Sequence, residues 1–184
     1  MIVILGITIT IMFGLIFGIS YAWYSYSNAE TSVIGGTIKE TPTIIFAQTN
    51  YIKSTNNMPI DDVDRYNYAN KNSFTITLDK ELKNYQTAVE ISLVNINISE
   101  ELKIANYKYE LLQNGLTIKE GNFEEIGNKN TLTLVPMTIL NHQLDEESYT
   151  YDLYIWLSDD GTNQNDLMNK NFSAKINVNS AIKK

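Results

Sequence analysis

Hydrophobic and polar side chains alternate with a period of two along much of the chain from Thr31 onward. The clearest run is Tyr149–Ser158, in which Leu153, Ile155 and Leu157 fall on one face. Alternation of this kind is typical of a strand with one face buried. We therefore predict that these three side chains lie in a hydrophobic core. The other residues predicted for the same interior are Ile91, Leu93 and Ile176.

Strand-like segments recur at short intervals, with turn-forming residues between them. Asn114-Gly115 separates two alternating runs and is typical of a two-residue hairpin turn. Gly127-Asn128 and Asp160-Gly161 are further turn signals. The segments predicted as strands are Ser32–Ile38, Thr43–Gln48, Phe74–Leu78, Val89–Leu93, Tyr107–Leu111, Leu116–Phe123, Thr131–Val135, Tyr149–Leu157 and Phe172–Val178.

About eight or nine short strands without amphipathic helices between them predict an all-β fold, an antiparallel β-sandwich or jelly roll. Two segments are predicted to differ. A helix is expected around Met137–Glu147, opened by Pro136. A long surface loop is expected over the polar stretch Tyr51–Asn72. The predicted organisation is a leader at 1–22, an aromatic segment with a first strand at 23–42, and the β-sandwich domain at 43–184.

The N-terminal segment Met1–Ala22 is almost wholly apolar, and the first charged side chain is Glu30. It meets the length of about 20 residues that a helix needs to span a bilayer. The absence of basic residues before Lys39 favours a retained membrane anchor. Ser20 and Ala22 instead favour a signal peptide cleaved after Ala22, because small residues occupy these positions before a cut. Both interpretations stay open, and both predict an exported protein, either extracellular or held at the cell surface through residues 1–22.

Composition narrows the class of protein further. The sequence has no cysteine and a net charge of −7. An exported domain without disulfides is more typical of a Gram-positive bacterial surface than of an animal secretory pathway. Beyond Lys183-Lys184 there is no basic cluster. Nucleic acid is therefore not an expected partner, because binding to phosphates requires clustered Lys and Arg.

The side-chain inventory predicts that the protein is not an enzyme. His142 is the single histidine, which together with the absence of cysteine excludes Cys–His catalysis and the H-E-x-x-H zinc helix. No G-x-S-x-G nucleophile elbow is present. His142 stands between Asn141 and Gln143 and is interpreted as an exposed loop residue. A carboxylate pair capable of glycoside hydrolysis is the alternative that stays open.

Two acidic clusters are candidates for metal binding. Asp159, Asp160 and Asp166 place carboxylate oxygens around Gly161, and calcium prefers such ligands. The spacing lacks the full calcium-loop pattern, so an ordinary Asp-Gly turn explains the same residues. Asp61–Asp64 is interpreted as a solvated charge run. Calcium at the first cluster is thus the leading metal hypothesis, Asp61–Asp64 is a weaker candidate for the same ion, and no other cofactor is predicted.

Motifs around the leader junction point to a family. The stretch Ile19–Glu30 joins an apolar leader to an aromatic-polar segment through a small-aromatic-Ala junction, and Val33–Ile38 is an apolar-Gly-Thr-apolar strand. Tyr154–Leu157 and Asn171–Ile176 flank a loop rich in Asn and Asp. In these features the chain resembles the TasA/camelysin family, surface and biofilm-matrix proteins of bacilli and related Firmicutes.

The resemblance implies a jelly-roll subunit that polymerises into extracellular fibres by donor-strand exchange. The freed N-terminal segment of one subunit would complete a sheet of the next. Trp23, Tyr24 and Tyr26 would then be the self-assembly residues, because pairing with an open edge buries their rings. If the leader is retained, the same rings would form an aromatic belt at the membrane interface. The protein would then be a membrane-anchored binding module, either an adhesin or a ligand receptor.

The resemblance also brings the metalloprotease attribution of camelysin. The single histidine does not support it, because no second histidine is present to complete a zinc helix.

Overall fold

The alternating segments form two β-sheets in the computed structural model, which describes residues 44–47, 51–78, 86–140 and 147–183. These residues belong to one compact unit that spans 41–184. The strands are β1 (Ile44–Ala47), β2 (Ile52–Ser54), β3 (Pro59–Ile60), β4 (Asn70–Leu78), β5 (Gln86–Ile98), β6 (Tyr107–Gln113), β7 (Leu116–Asn122), β8 (Leu132–Leu140), β9 (Glu147–Ser158) and β10 (Phe172–Lys183).

Short helical segments connect some of the strands. The α-helices are α1 (Arg65–Tyr68) and α2 (Asn165–Met168). Single 3₁₀ turns cover Asp62–Asp64, Glu100–Leu102 and Phe123–Ile126.

The strands pair in two layers. The first sheet has the order β1-β4-β9-β6-β7, with β3 added parallel to the end of β9. The second sheet has the order β2-β10-β5-β8. All pairings between described strands other than β3 with β9 are antiparallel. The prediction of an all-β antiparallel sandwich is confirmed, with ten strands among the described residues.

The core lies between the two sheets and contains the residues predicted for it. Leu153, Ile155 and Leu157 of β9 are each at most 2% exposed. Ile91, Leu93 and Ile176 of the second sheet belong to the same buried cluster. The prediction of this core face is therefore confirmed.

Several predictions concern residues outside the described ranges. These are the first strand Ser32–Ile38, the leader with Ser20 and Ala22, the aromatic residues Trp23, Tyr24 and Tyr26, and His142. Within the ranges that the structure covers, no helix combines the length and apolar character needed to cross a membrane.

The helix predicted around Met137–Glu147 is wrong over its first residues. Residues up to Leu140 belong to β8, which contains Pro136. Among the described strands β8 lies at an edge, paired only with β5. An edge strand tolerates proline, because the missing N–H can face away from the ladder. Tertiary pairing thus overrode the local signal for a helix start.

The long loop predicted over Tyr51–Asn72 is also wrong. The segment holds β2, β3, α1 and the start of β4. Its few apolar side chains pack against the protein: Ile52 is 1% exposed, and Ile60 and Ala69 contact a second hydrophobic cluster. Scattered apolar residues without regular spacing carry no periodic signal, although here they anchor the whole segment.

A close contact between neighbouring strands makes Gly121 a sensitive position. Gly121 of β7 lies directly opposite Tyr109 of β6, whose ring is fully buried. A Cβ at Gly121 would clash with the Tyr109 hydroxyl and would lie 2.7 Å from its Cζ. We expect Gly121→Ala to lower the free energy of unfolding by about 1–3 kcal/mol through overpacking. Urea denaturation measures this change.

The control for this contact is Glu120→Ala, an exposed neighbour on the same strand. Its expected effect is within about 0.5 kcal/mol. Tyr109→Phe should recover part of the loss in the Gly121→Ala background, because the hydroxyl is the nearest clashing atom and has no hydrogen-bond partner among the described groups. An unchanged Gly121→Ala variant would show that the ring moves away at no cost.

Candidate functional site

Along most of its length, β10 has a neighbour on only one side among the described strands. On one side the strand pairs with β5 from Phe172 to Lys183. On the other side β2 covers only Phe172–Ala174. Among the described strands, none pairs with residues 175–183 on that second side. The open edge of β10, meaning the free side of residues 175–183, therefore presents backbone N–H and C=O groups over roughly 30 Å.

The described strand that precedes β2 in the sequence belongs to the other sheet. Going back from Ile52, the sequence reaches Ala47 of β1, a strand of the first sheet, after residues 48–51. Such a short connection reaches at most about 17 Å, and packed sheets lie about 10 Å apart. β1 and β2 are therefore edges on the same side of the sandwich. The open edge of β10 lies on that same side.

The core-facing side chains along the open edge are only partly covered. Ile176 is buried, whereas Val178 and Ile182 are half-buried against the core. Ser180, between them, is exposed. Ile44 of β1 is likewise partly buried against the same core. The side of the sandwich that carries the open edge thus retains apolar surface that a further strand would cover.

The sequence of the open edge lacks the devices that protect sheet edges. Natural edge strands avoid further pairing by being short, or by carrying charges, prolines or bulges. Among the other outer strands described, β1 and β2 are short, β7 carries Lys119 and Glu120, and β8 contains Pro136. Residues 176–182 of β10 have no charge and no proline, and their pairing with β5 is regular. Among the described edges, this one is the best suited to accept another strand.

The opposite surface of the first sheet is covered by the outer layer, residues 58–70. Tyr154 and Trp156 of β9, which alternate with the core residues Leu153, Ile155 and Leu157, are each 7% exposed. They form a second hydrophobic cluster with Leu112, against which Ile60 and Ala69 pack. β9 is therefore buried on both faces. The sequence contained a signal for this burial on both faces, the run of consecutive large hydrophobic residues Tyr154–Leu157. Such runs are typical of strands that are covered on both sides.

Asp62 attaches the outer layer to the sheet. Its Oδ1 accepts hydrogen bonds from Trp156 Nε1 at 2.9 Å and from Ser158 Oγ at 2.7 Å. Its Oδ2 accepts a hydrogen bond from Lys108 Nζ at 2.6 Å. Burial opposes ionisation, but these three donors outweigh it and lower the pKa of Asp62 to about 2. The Asp62 side chain is still 47% exposed, consistent with the predicted solvated charge run, but its three hydrogen bonds make it an anchor that the sequence did not indicate.

Arg65 makes the second attachment, to a buried carboxylate. Glu110 of β6 is 1% exposed, and its Oε2 accepts a hydrogen bond from Arg65 Nε at 2.5 Å. Its Oε1 accepts hydrogen bonds from Tyr66 Oη at 3.1 Å and from Thr117 Oγ1 at 2.5 Å. Burial raises the pKa of Glu110, but the hydrogen bonds outweigh it and hold the pKa below its ordinary value. Both carboxylate oxygens therefore have partners, as a buried charge requires.

The acidic turn does not bring the three predicted calcium ligands together. Asp159 Oδ1 accepts a hydrogen bond from the Gly161 N–H at 2.8 Å. Asp160 Oδ1 accepts from the Thr162 N–H at 2.9 Å, and its Oδ2 accepts from Asn106 Nδ2 at 2.7 Å. Asp166 lies further along, in α2. Within the described part of the chain, no three His, Cys, Asp or Glu side chains are grouped so as to hold a metal ion.

These contacts explain the turn without a metal. Asp and Asn side chains commonly accept hydrogen bonds from backbone N–H groups two residues on. The hydrogen bonds lower the pKa of Asp160, with Thr162 as the main donor. Calcium binding at this turn stays a prediction.

No family model matches the chain, and no curated protein or solved structure matches it. The similarity to the TasA/camelysin family therefore rests on the motifs of the sequence.

Proposed function

We propose that this protein is an exported structural protein of a bacterial cell surface. In this proposal it associates with further copies of itself, by donor-strand exchange, into an extracellular fibre or biofilm matrix. The observation that carries the proposal is the open edge of β10, which is long, uncharged between its ends and flanked by half-buried Val178 and Ile182. The resemblance of the leader junction to the TasA/camelysin family supports the same role.

The donor in this proposal is the segment 23–42 of a second copy. It contains Val33–Ile38, whose apolar positions match a strand that adds to a sheet edge. Strand addition gains affinity from main-chain hydrogen bonds and specificity from alternate side chains. The aromatic residues Trp23, Tyr24 and Tyr26 would add buried area, because large rings dominate the energetics of interfaces. Cleavage after Ala22 would release this segment. The assembled role needs no catalysis.

The alternative is a membrane-anchored binding module that keeps residues 1–22, an adhesin or ligand receptor. A cleft lined by Trp156 and Tyr68 favours a binding role. N-terminal sequencing of the protein from its native host separates the two. A chain that begins at Trp23 supports the fibre, and an intact leader in the membrane fraction supports the anchored module.

The fibre proposal predicts that one charge on the open edge stops assembly. Ser180 is exposed and lies between Val178 and Ile182, so Ser180→Lys places an ammonium group on the row that the donor covers. We expect mature protein starting at Trp23 to form fibres visible by electron microscopy. The Ser180→Lys variant should show at least a tenfold lower yield of pelletable material. A tenfold change in an association constant corresponds to about 1.4 kcal/mol, and burial of one unpaired charge costs more than that.

Two controls accompany this experiment. Thr133→Lys makes the same change at an exposed position of β8 and should assemble like wild type. Removal of residues 23–42 should abolish assembly, and a synthetic peptide of that segment should then bind the shortened protein. Equal melting temperatures of both lysine variants as monomers exclude misfolding. Assembly of Ser180→Lys at the wild-type level, or no assembly of the mature wild type, would refute the proposal.

A further inference from the structure

A cleft of about 560 Å³ lies beside β9, at the point where the neighbouring strand in the first sheet changes from β4 to β3. Antiparallel pairing with β4 ends at Asn70, which lies opposite Ile155. Parallel pairing with β3 begins at Pro59, which lies opposite Leu157. Trp156 lies between these two partners and lines the cleft. The floor of the cleft is therefore a gap in the sheet beside a tryptophan.

The walls combine aromatic faces with amide and hydroxyl groups. Tyr68 of α1 lines the cleft and is 73% exposed. Asn56, Asn70 and Ser54 supply polar groups from the surrounding segments. Amides and hydroxyls can both donate and accept hydrogen bonds, and Tyr and Trp present an apolar ring with a polar edge. Among the described lining residues, the cleft thus offers one well-exposed ring, that of Tyr68, together with neutral hydrogen-bonding groups in one concave surface.

Several walls of the cleft are held in place by hydrogen bonds. Asn57 is 5% exposed; its Nδ2 donates to the Lys170 carbonyl at 2.7 Å, and its Oδ1 accepts from Ser54 Oγ at 2.5 Å. Asn70 Nδ2 donates to the Lys53 carbonyl at 2.7 Å. The Trp156 indole is held by its hydrogen bond to Asp62. A preorganised surface loses little entropy when a ligand binds.

The charge of the lining restricts the ligand class. Among the described residues that line the cleft, Lys53 alone has an ionic side chain, and none is Asp or Glu. A divalent cation would need carboxylate ligands. A phosphate group would favour clustered Arg and Lys. The lining fits neither, whereas a neutral ligand rich in hydroxyl groups and with apolar ring faces matches both of its components.

We propose that this cleft binds a neutral saccharide, with a sugar ring against Tyr68 and hydroxyl groups hydrogen-bonded to the surrounding amides. For a protein at a bacterial surface, such a site would tether the subunit to a neutral polysaccharide. The tethering role rests on the proposed location at the cell surface, whereas saccharide binding itself rests on the cleft alone and does not depend on fibre formation.

Isothermal titration calorimetry with the full mature protein tests this site. The probes are cellohexaose, maltohexaose and chitohexaose, which are neutral and differ in linkage and substituent. We expect saturable binding of at least one of them. Tyr68→Ala should weaken that binding at least tenfold, because it removes the exposed ring. Tyr68 makes no hydrogen bond that the structure shows, and α1 keeps its Arg65 attachment, so the fold should persist.

The matched control is Tyr51→Ala. Tyr51 is 56% exposed but does not line the cleft. The Tyr51→Ala variant should bind the saccharide like wild type. Polygalacturonate fragments, which are acidic, should bind more weakly than the neutral probes. Failure of all three neutral probes, stronger binding of the acidic fragments, or equal losses in both tyrosine variants would overturn the proposal. Fibre assembly is measured in a separate experiment, so a failure of saccharide binding and a failure of fibre formation can be told apart.

Discussion

Replacing Ile155 with alanine is expected to lower the free energy of unfolding by about 2–5 kcal/mol. Ile155 is 2% exposed and lies in β9, which pairs with β4 on one side and with β6 on the other. Its partners in the ladders are Asn70 and Tyr109. Neighbours fixed in two ladders cannot close readily around a cavity, so the lost contacts are not replaced. Urea denaturation followed by circular dichroism gives the free energy of unfolding.

The matched control for this truncation is Ile139→Ala. Ile139 lies in β8 and is 58% exposed, so the same chemical change removes little buried surface. Its effect should stay within about 0.5 kcal/mol. A loss below about 1 kcal/mol for Ile155→Ala would contradict the assignment of this face to the core.

Replacing Arg65 with methionine is expected to cost about 3–5 kcal/mol at neutral pH, the range for breaking a buried ion pair. The variant keeps an apolar stem over the cluster but leaves the Glu110 carboxylate without its cation. The Glu110 side chain is 2% exposed, so water replaces that partner poorly. If the outer layer opens so that water reaches Glu110, Trp156 becomes exposed as well. Quenching of its fluorescence should then be stronger than in wild type.

The loss caused by Arg65→Met should depend on pH. In wild type the folded-state pKa of Glu110 is lower than its ordinary value of 4.5. Ionised Glu110 therefore stabilises the fold above that pH, and the contribution is lost as the pH falls through the lower folded-state pKa. Without Arg65, burial raises the pKa instead, so the variant accepts a proton on Glu110 more readily. The difference in stability between the two proteins should be largest near pH 7 and should shrink as the pH falls, first through the raised pKa of Glu110 in the variant and then through its lowered pKa in wild type.

A double variant provides the control for the ion pair. Arg65→Met with Glu110→Gln removes both charges while Thr117 and Tyr66 remain near the amide. It should recover most of the loss, because an uncharged buried group costs less than an unpaired carboxylate. A deficit that is independent of pH, or no recovery in the double variant, would show that Arg65 acts through packing alone.

Local patterns explain why the sandwich was predictable. Every predicted strand among the described residues is present, from Thr43–Gln48 to Phe172–Val178. Successive side chains of a strand point to opposite faces, so burial on one face leaves a period of two in the sequence. The core residues Leu153, Ile155 and Leu157 follow from the same rule. Neither pairing partners nor sheet order follows from it.

The candidate sites could be predicted only in part. The leader junction and the acidic turn are local motifs, and the sequence displayed both. The open edge of β10 is not a local property, because it exists only where β2 stops and no described strand follows. The cleft likewise arises between β4 and β3, segments that reach β9 from opposite directions.

Alternation along the chain was therefore sufficient to establish the class of fold, the strands and the inward face of β9, since each depends on neighbours in sequence. The burial of Tyr154 and Trp156 under residues 58–70 depends on contacts between distant positions. Asp62 and Trp156 are 94 residues apart, and Arg65 and Glu110 are 45 apart. In isolation Asp61–Asp64 has the composition of a solvated segment. Folding brings Trp156 and Lys108 to Asp62 and brings Glu110 to Arg65, and these contacts attach residues 58–70 to the first sheet although Asp62 itself stays about half exposed.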